Sequence, residues 1–242
     1  MRYFLEMAYK GTNYRGWQRQ KFVPSVQQTI EEKIIQLLRR DIYIHGCGRT
    51  DAGVHASQFF AHIDLELHEL EKIERLNMVL PNDIVIKDIF KVEANKSAQL
   101  DAVSRAYQYN IHFHKNPFIT LTSALYDHRD YDLEKMEKAF YLIGEATDFF
   151  QFCKTVKNYK TTDCKIFDLT FNKSATSNTI HLKIKANRFL RGMIRYLVGD
   201  LLALGTGRLK LEKWEGTLQN KQERKEKFLA HPQGLSLIEV KY

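Results

Sequence analysis

Tyr107, Tyr109, Ile111 and Phe113 alternate without a break with Gln108, Asn110, His112 and His114. A strict period of two fits a strand with one face buried and the other in polar surroundings. Such a strand needs paired edges and an apolar cover, so the rest of the chain must supply strands and helices in proportion. It does. Shorter alternating or apolar stretches lie at 2–9, where Tyr3, Leu5, Met7 and Tyr9 share a face, at 59–65, at 84–90, near 165–171, at 180–186 and at 235–242.

Helical spacing fills the intervals. Ser25 with Gln28 three residues on reads as a capping box opening a helix that carries Val26, Ile30, Ile34 and Leu38. Leu70, Ile73, Asn77 and Leu80 space as a short helix that Pro81 stops. Asp132 caps a helix bearing Leu133, Met136, Phe140 and Ile143, closed by Gly144. The longest helix is predicted over 189–204, with Leu190, Met193, Ile194, Leu197, Val198 and Leu201 on its apolar face, and a short one over 210–219. The order is roughly strand, helix, strand, helix, strand, run through twice. That predicts an α+β fold of two ferredoxin-like α/β halves sharing a mostly antiparallel sheet. The rhythm puts the halves at 1–100 and 101–242, the first with a Gly-rich loop and the second with a basic helix.

Composition narrows the function classes. The chain has 242 residues, 44 % of them apolar, enough for one large domain or two small ones with a shared core. Lys and Arg outnumber Asp and Glu 37 to 29, and the resulting charge of +8 favours a polyanionic partner. Cys47, Cys153 and Cys164 are too few and too scattered for a disulfide framework or a zinc site, which fits a reducing compartment. Glu6 interrupts the opening apolar run too early for a signal peptide, and no stretch of about 18 apolar residues exists to span a membrane. A cytoplasmic protein is the expectation.

The densest chemistry lies in Gly46-Cys47-Gly48-Arg49-Thr50-Asp51-Ala52-Gly53-Val54-His55-Ala56. Its glycines permit tight turns and close approach. Between them stand a cation, a hydroxyl, a carboxylate and, just after, a histidine. The loop reads either as a structural turn with Asp51 accepting backbone N–H groups or as a reactive loop. It is no P-loop, because no Lys-Ser/Thr follows and no helix starts there.

This stretch resembles the catalytic signature of the tRNA pseudouridine synthase A family, and the resemblance runs nearly end to end. Tyr9-Lys10-Gly11-Thr12-Asn13-Tyr14-Arg15-Gly16-Trp17-Gln18 is similar to the family's opening motif, and Ser25-Val26-Gln27 to its next. Asn77 to Ile84, with Leu80-Pro81 inside it, resembles a mid-domain segment, and Arg105-Ala106-Tyr107 the Arg-x-Tyr strand. Ala186-Asn187-Arg188-Phe189-Leu190-Arg191-Gly192-Met193-Ile194-Arg195 resembles the late basic helix, and Pro232-Gln233-Gly234-Leu235-Ser236-Leu237 the last strand. The resemblance implies a pseudouridine synthase fold with a central basic cleft. It also implies conversion of uridine to pseudouridine in the tRNA anticodon stem-loop, at tRNA positions 38 to 40. No cofactor or metal is implied, and the family enzyme is a homodimer.

The reaction explains the residue types. The target base must leave its stack to be reached. An ordinary aspartate is ionised at neutral pH, so Asp51 can attack or stabilise the electron-poor sugar carbon, as carboxylates do in glycosyl chemistry. An arginine beside it would orient it and keep it charged; the resemblance implies Arg195, and Arg49 is the local candidate. Tyr107 reads from its strand as a core aromatic, whereas the resemblance implies that it stacks on the flipped uracil. Arg188, Arg191 and Arg195 at helical spacing would form one basic face for phosphates. Thr50 in the Gly-Arg-Thr-Asp stretch and Arg105 in the Arg-x-Tyr strand are further candidates for binding the substrate. Arg15, Trp17 and Gln18 mix charge and stacking in one loop, with packing an equal reading for Trp17. His55 reads as structural.

Two stretches depart from the family pattern. Ser97-Ala98-Gln99-Leu100 stands where a His-Ala-Arg-Phe run is usual, and Thr147-Asp148-Phe149 where His-Asp-Phe is expected. Neither touches the catalytic loop; both bear on which tRNA and which uridine are taken. Rival readings are a non-catalytic RNA-binding protein of the same fold and a metal-dependent nuclease. The second needs clustered carboxylates, and Asp51 is the only acid between positions 42 and 63.

Overall fold

The computed structural model describes residues 1–127, 130–174, 179–220, 224 and 226–242. The fold is α+β with mostly antiparallel strand pairing, as the alternating patterns predict. Two compact units divide the chain: Met1–Arg105 together with Ser236–Tyr242, and Ala106–Leu235. The last strand is thus counted mostly with the first unit rather than with the residues that precede it.

The first unit runs β1 (Arg2–Tyr9), α1 (Val26–Leu38), β2 (His45–Gly46), β3 (His55–Asp64), α2 (Leu67–Glu74) and β4 (Ile84–Lys91). This is the βαββαβ order of a ferredoxin-like unit. β1 is central, antiparallel to β3 through Leu5↔Ala61 and Met7↔Phe59 and to β4 through Leu5↔Ile89. The outer edge of β3 is shared. β2 takes Ala61 and His62, while β9 (Leu235–Lys241) pairs in parallel with His55 and Ala56. Leu5, Met7, Ile30, Ile34, Ile44, Phe59 and Ile63 are each fully buried and form the core.

Local chemistry follows the sequence signals, with two departures. Ser25 accepts from Gln28 N at the start of α1, but the Gln28 amide turns to Glu32 and not back to the cap, so only half of the expected box forms. The helix expected across 70–80 stops at Glu74 and is followed by a 3-10 turn at Leu76–Met78. Asn77 leaves the helical face to exchange two hydrogen bonds with the Ile86 backbone, at 2.7 and 2.8 Å. A side chain that can mimic a strand neighbour is worth more on the open edge of β4 than on a helix surface.

The second unit contains β5 (Ser104–His112, from Ala106 on), β6 (Ala124–Leu125), α3 (Leu133–Tyr141), β7 (Ile166–Ser174), β8 (Thr179–Ala186), α4 (Met193–Gly205) and α5 (Leu211–Leu218). β8 lies between β5 and β7, and β6 adds in parallel to β5. Asp132 caps α3 by accepting from Lys135 N at 2.9 Å. Trp214 of α5 is fully buried and donates to the Ala139 carbonyl at 3.1 Å.

The late helix is shorter than its apolar spacing predicts. It starts at Met193, and at 13 residues it is no longer than α1. Gly192 before it has φ of 77°, a left-handed value that no helical residue adopts. Arg188 and Arg191 therefore lie in the turn ahead of α4, and they do not share a helical face with Arg195.

Candidate active site

Asp51 sits half-buried in the connection Cys47–Val54 between β2 and β3. Each end of that connection is fixed. At its start Cys47 N donates to the Phe60 carbonyl at 2.7 Å, and Arg105 Nη2 donates to the Cys47 carbonyl at 3.0 Å. Arg105 also caps the Ala102 and Gln99 carbonyls, so its guanidinium braces the loop against the turn at 99–102. At the other end Val54 N returns to the Asp51 carbonyl at 3.1 Å, closing a turn. His55 is buried, and its Nδ1 accepts from Gly11 N at 3.1 Å, the structural role expected of it.

The middle of the loop is gripped from the side by residues 14–17. Trp17 N donates to the Thr50 carbonyl and Gly53 N to the Tyr14 carbonyl, both at 3.2 Å. Gly16 has φ of 94°, and a Cβ there would lie 2.4 Å from the Thr50 oxygen. Only glycine permits that approach. The Thr50 hydroxyl is buried against the Tyr9 hydroxyl at 2.9 Å. Thr50 is thus turned inward, and Asp51 and the exposed Arg49 flank it on the loop.

Trp17 has the packing role of the two open to it. Its side is 2 % exposed, its ring lies 4.1 Å from that of Phe59 and 6.2 Å from that of Tyr9, and a Cβ on Gly46 would meet it at 2.6 Å. With its faces covered by the core it cannot stack on a base, and a substrate contact for it is withdrawn. Arg15 and Gln18 are exposed.

Sequence reasoning missed what holds the hairpin of residues 14–24, closed by the Gln20–Val23 bridge. Gln27 Oε1 accepts from Gln18 Nε2 and Arg19 N, both at 3.0 Å, while its Nε2 donates to Glu31 and to the Ile44 carbonyl. Glu31, fully buried, also accepts from Ile44 N at 3.2 Å and from Arg19 at 3.1 Å. One helix face thereby clasps the hairpin and the strand feeding the loop. The available signal was an acid four residues after a glutamine beside the apolar stripe of α1. Cys47 is buried beneath the loop, and burial pushes its thiol up to about 11, so it offers no thiolate.

In the second unit Tyr107 is half-buried, with its ring edge-on to Phe189 at 5.1 Å. Phe189 begins the basic turn, so Tyr107 adjoins it. Arg188 lies over the Tyr159 ring at 5.4 Å, and the Tyr159 hydroxyl accepts from Arg191 N at 3.0 Å. The Arg191 carbonyl accepts from Lys154 N, which pins the backbone of the turn while the Arg191 side chain stays exposed.

Arg195 lies in the first turn of α4 and is aimed by a separate device. Its Nε donates to the Ala230 carbonyl at 2.8 Å, and Ala230 N donates back to the Arg195 carbonyl at 2.9 Å. The segment carrying Ala230 is anchored by Arg224, which is buried, ion-paired with Asp200 of α4 and bonded to the Phe228 carbonyl at 3.2 Å. Burial raises the Asp200 carboxyl to about 6, against the pull of Arg224. A lone acid in the apolar run Leu197–Leu204 signals this pair in the sequence; its partner is not legible there. Among the described residues no group of three or more His, Cys, Asp or Glu side chains could hold a metal ion. Among the same residues no helix is long and apolar enough to cross a membrane.

Comparison with known proteins bears on what this arrangement does. Residues 139–242 match the model of a family described as tRNA pseudouridine synthase. The tRNA pseudouridine synthase A of Porphyromonas gingivalis is 38 % identical over 245 residues, spanning 100 % of this chain and 97 % of that protein. Those of Bacteroides thetaiotaomicron and Caldicellulosiruptor saccharolyticus are each 37 % identical, over 100 % and 98 % of this chain and 90 % and 98 % of theirs. With identity of that order along its whole length, the chain belongs to the tRNA pseudouridine synthase A family, a family of isomerases, and has the pseudouridine synthase fold.

Proposed function

We propose that the protein isomerises uridine to pseudouridine in tRNA, with Asp51 as the catalytic carboxylate. The observation that carries this reading is the bracing of the Asp51 loop by backbone bonds with Trp17 and Tyr14 and by the Arg105 guanidinium on the Cys47 carbonyl. A reactive group must be held within a fraction of an ångström of its target. A merely structural turn needs no such convergence of buried partners.

The steps follow from the bond changes. The target nucleotide leaves its stack and enters the site. The Asp51 carboxylate stabilises or attacks the sugar carbon C1′ as its bond to N1 breaks. The freed uracil turns over, C5 joins C1′ and displaces the carboxylate where it has bonded there, the C5 proton leaves and N1 takes one up. Product and substrate have the same atoms, so no co-reactant is needed. Tyr107 is the candidate to stack on the turning uracil. Arg195 and Arg49 are the candidates to orient the carboxylate, and the exposed Arg15, Gln18 and Arg191, with Arg188, to contact the RNA backbone. Arg105 acts as a positioning residue through Cys47.

The family suggests the anticodon stem-loop, at tRNA positions 38 to 40, as the place of reaction, a homodimer as the working form and the cytoplasm as its location. Incubating the protein with unmodified tRNA transcripts and mapping pseudouridine at every position tests the reaction and its target together. Tight tRNA binding without any pseudouridine would favour a non-catalytic RNA-binding protein instead. Sedimentation at micromolar concentration tests the dimer.

A further inference from the structure

The hairpin formed by residues 14–24 ends in a side chain for which the folded protein has no use. Its base is tied to the Asp51 loop through Trp17 N to the Thr50 carbonyl and Gly53 N to the Tyr14 carbonyl. Arg15 N donates across it to the Pro24 carbonyl at 2.9 Å, Gln20 Nε2 closes it onto the Arg15 carbonyl at 2.8 Å, and Gln20 and Val23 form an antiparallel bridge. Between them, at the tip, Phe22 is 100 % exposed and has φ of 66°.

Left-handed backbone is unfavourable for a residue with a Cβ. A benzyl group in water contributes no burial to offset that strain. Two other non-glycine residues among those described have positive φ, Arg39 and Asn220. Both close helices: Arg39 caps the end of α1, and Asn220 follows the last cap of α5. A left-handed residue there satisfies the last helical carbonyls. Phe22 ends no helix. Strain and exposure together, next to a reactive loop, are a combination that persists when a partner uses the side chain.

The surroundings identify the partner's chemistry. Lys21, next to Phe22 in the chain, and Arg15, nearer the base, are both exposed on the same hairpin. A flat apolar face flanked by positive charge suits an unstacked nucleobase and its phosphates. Flipping one nucleotide out of an RNA stack leaves its neighbour with an uncovered face.

We propose that Phe22 is a base-stacking contact that covers a nucleobase beside the flipped uridine, with Lys21 and Arg15 on the adjoining phosphates. The assignment rests on the reading of the Asp51 loop as an RNA-modifying site. Three variants test it in the full-length protein against an unmodified tRNA transcript. Phe22→Ala lowers affinity about tenfold, equal to about 1.4 kcal/mol, and the loss falls mainly on KM. Phe22→Trp holds affinity within about twofold, and tRNA quenches its fluorescence. Phe22→Asn, better suited to left-handed backbone, loses affinity as alanine does yet raises Tm by about 2 °C. A ring that serves the fold predicts the reverse, with Tm lowered in all three and affinity lost only with folded fraction. Unchanged affinity in Phe22→Ala overturns the proposal. Its failure is separable from that of the catalytic reading: a parent protein that makes pseudouridine while Phe22→Ala binds normally removes only the stacking contact. A parent that makes none, yet depends on a ring at position 22 for affinity, removes only the catalysis.

Discussion

The Asp51 loop and the basic turn at 187–192 carry motifs of similar length, and they are held in opposite ways. In the loop the backbone is fixed by buried groups, with Thr50 turned into the core and Arg105 spent on carbonyls. In the turn the backbone is pinned at Arg191 by Lys154 and Tyr159, the Arg191 side chain is exposed, and Arg188 lies over one aromatic ring. The first arrangement suits a group that must not move relative to a reacting atom. The second suits contacts to phosphates, which tolerate displacement because charge acts over a Debye length of about 10 Å. Substitutions in the two regions should therefore differ in kind.

The largest effect is expected at Asp51. Asparagine is nearly isosteric, so the loop's backbone bonds and the fold remain, but the amide is no anion and no nucleophile. Asp51→Asn should lose at least about 1000-fold in turnover, about 4 kcal/mol of barrier. Its tRNA affinity should stay within about tenfold and its Tm within about 2 °C. A folded Asp51→Asn protein with near-normal turnover would return the loop to the status of a structural turn.

Glycines sharpen the comparison through stability. At Gly16 an added Cβ meets both the left-handed φ and the Thr50 oxygen at 2.4 Å. At Gly192 the φ is similarly left-handed, but the nearest atom is the Tyr196 ring edge at 3.4 Å, ordinary contact. Gly16→Ala should therefore cost about 3 kcal/mol or more, conformational strain plus overpacking, and Gly192→Ala about 1 kcal/mol. In Tm that is a drop of about 6–12 °C against about 2–4 °C. Equal drops would mean that the loop is no more tightly gripped than the turn.

The two regions were also unequally legible. Strand alternation is a local property, so β1 and β8 fall within a residue of where the pattern puts them, and β5 lies on its pattern though it starts three residues earlier, at Ser104. The loop's boundaries follow from its glycines. The start of α4 does not, because Leu190, Met193, Ile194 and Leu197 keep helical spacing straight through a residue whose φ is positive. Apolar periodicity reports which face is covered and is blind to φ. Trp17 shows the other limit. Its neighbours Arg15 and Gln18 are exposed, and only the distant Gly46 and Phe59 decide that its own ring is buried. For the same reason Arg105 stands in a motif yet braces carbonyls, a role set by residues 99–102 and by Cys47.

A buried carboxylate paired with arginine in each unit, Glu69 in the first and Asp200 in the second, responds to pH in the opposite sense to the other. In the first unit hydrogen bonds from Arg40 pull Glu69 down from 4.5 to about 2. Its contribution is present above 4.5 and is lost as pH falls toward 2. In the second, burial raises Asp200 from 3.8 to about 6, so its folded form holds the proton more tightly than the unfolded chain does. That contribution is present below 3.8 and is lost as pH rises through 6. The stability of Asp200→Asn relative to the parent should therefore improve as pH rises from 4 to 7, from a baseline lowered by the buried Arg224 guanidinium that the amide leaves without its counter-charge. Arg40→Ala should lose about 0.5 kcal/mol at pH 7, discounted because Arg40 is 42 % exposed, and the gap should close below pH 4. Tm measured from pH 2 to 7.5 separates them; pH-independent gaps over that range would show that neither carboxyl titrates as placed.

The smallest effect tests the basic turn itself. Arg191 is exposed on a pinned backbone, the geometry of a phosphate contact, whereas Arg40 is exposed on one side and engaged with Glu69 on the other. Each phosphate neutralised releases counterions, which steepens the fall of log K with log salt by roughly 0.7 to 0.9 units. Arg191→Ala should flatten that slope by about one unit and weaken tRNA binding by less than tenfold at moderate salt, with no change in Tm beyond about 1 °C. Arg40→Ala, a cation removed from the first unit away from the loop, should leave the slope unchanged. If both variants shift the slope equally, tRNA responds only to net charge, and the turn has no particular claim on phosphate. If neither does, Arg191 is a solvated side chain, and the contrast between a rigid reactive loop and a cationic docking turn fails on its second half.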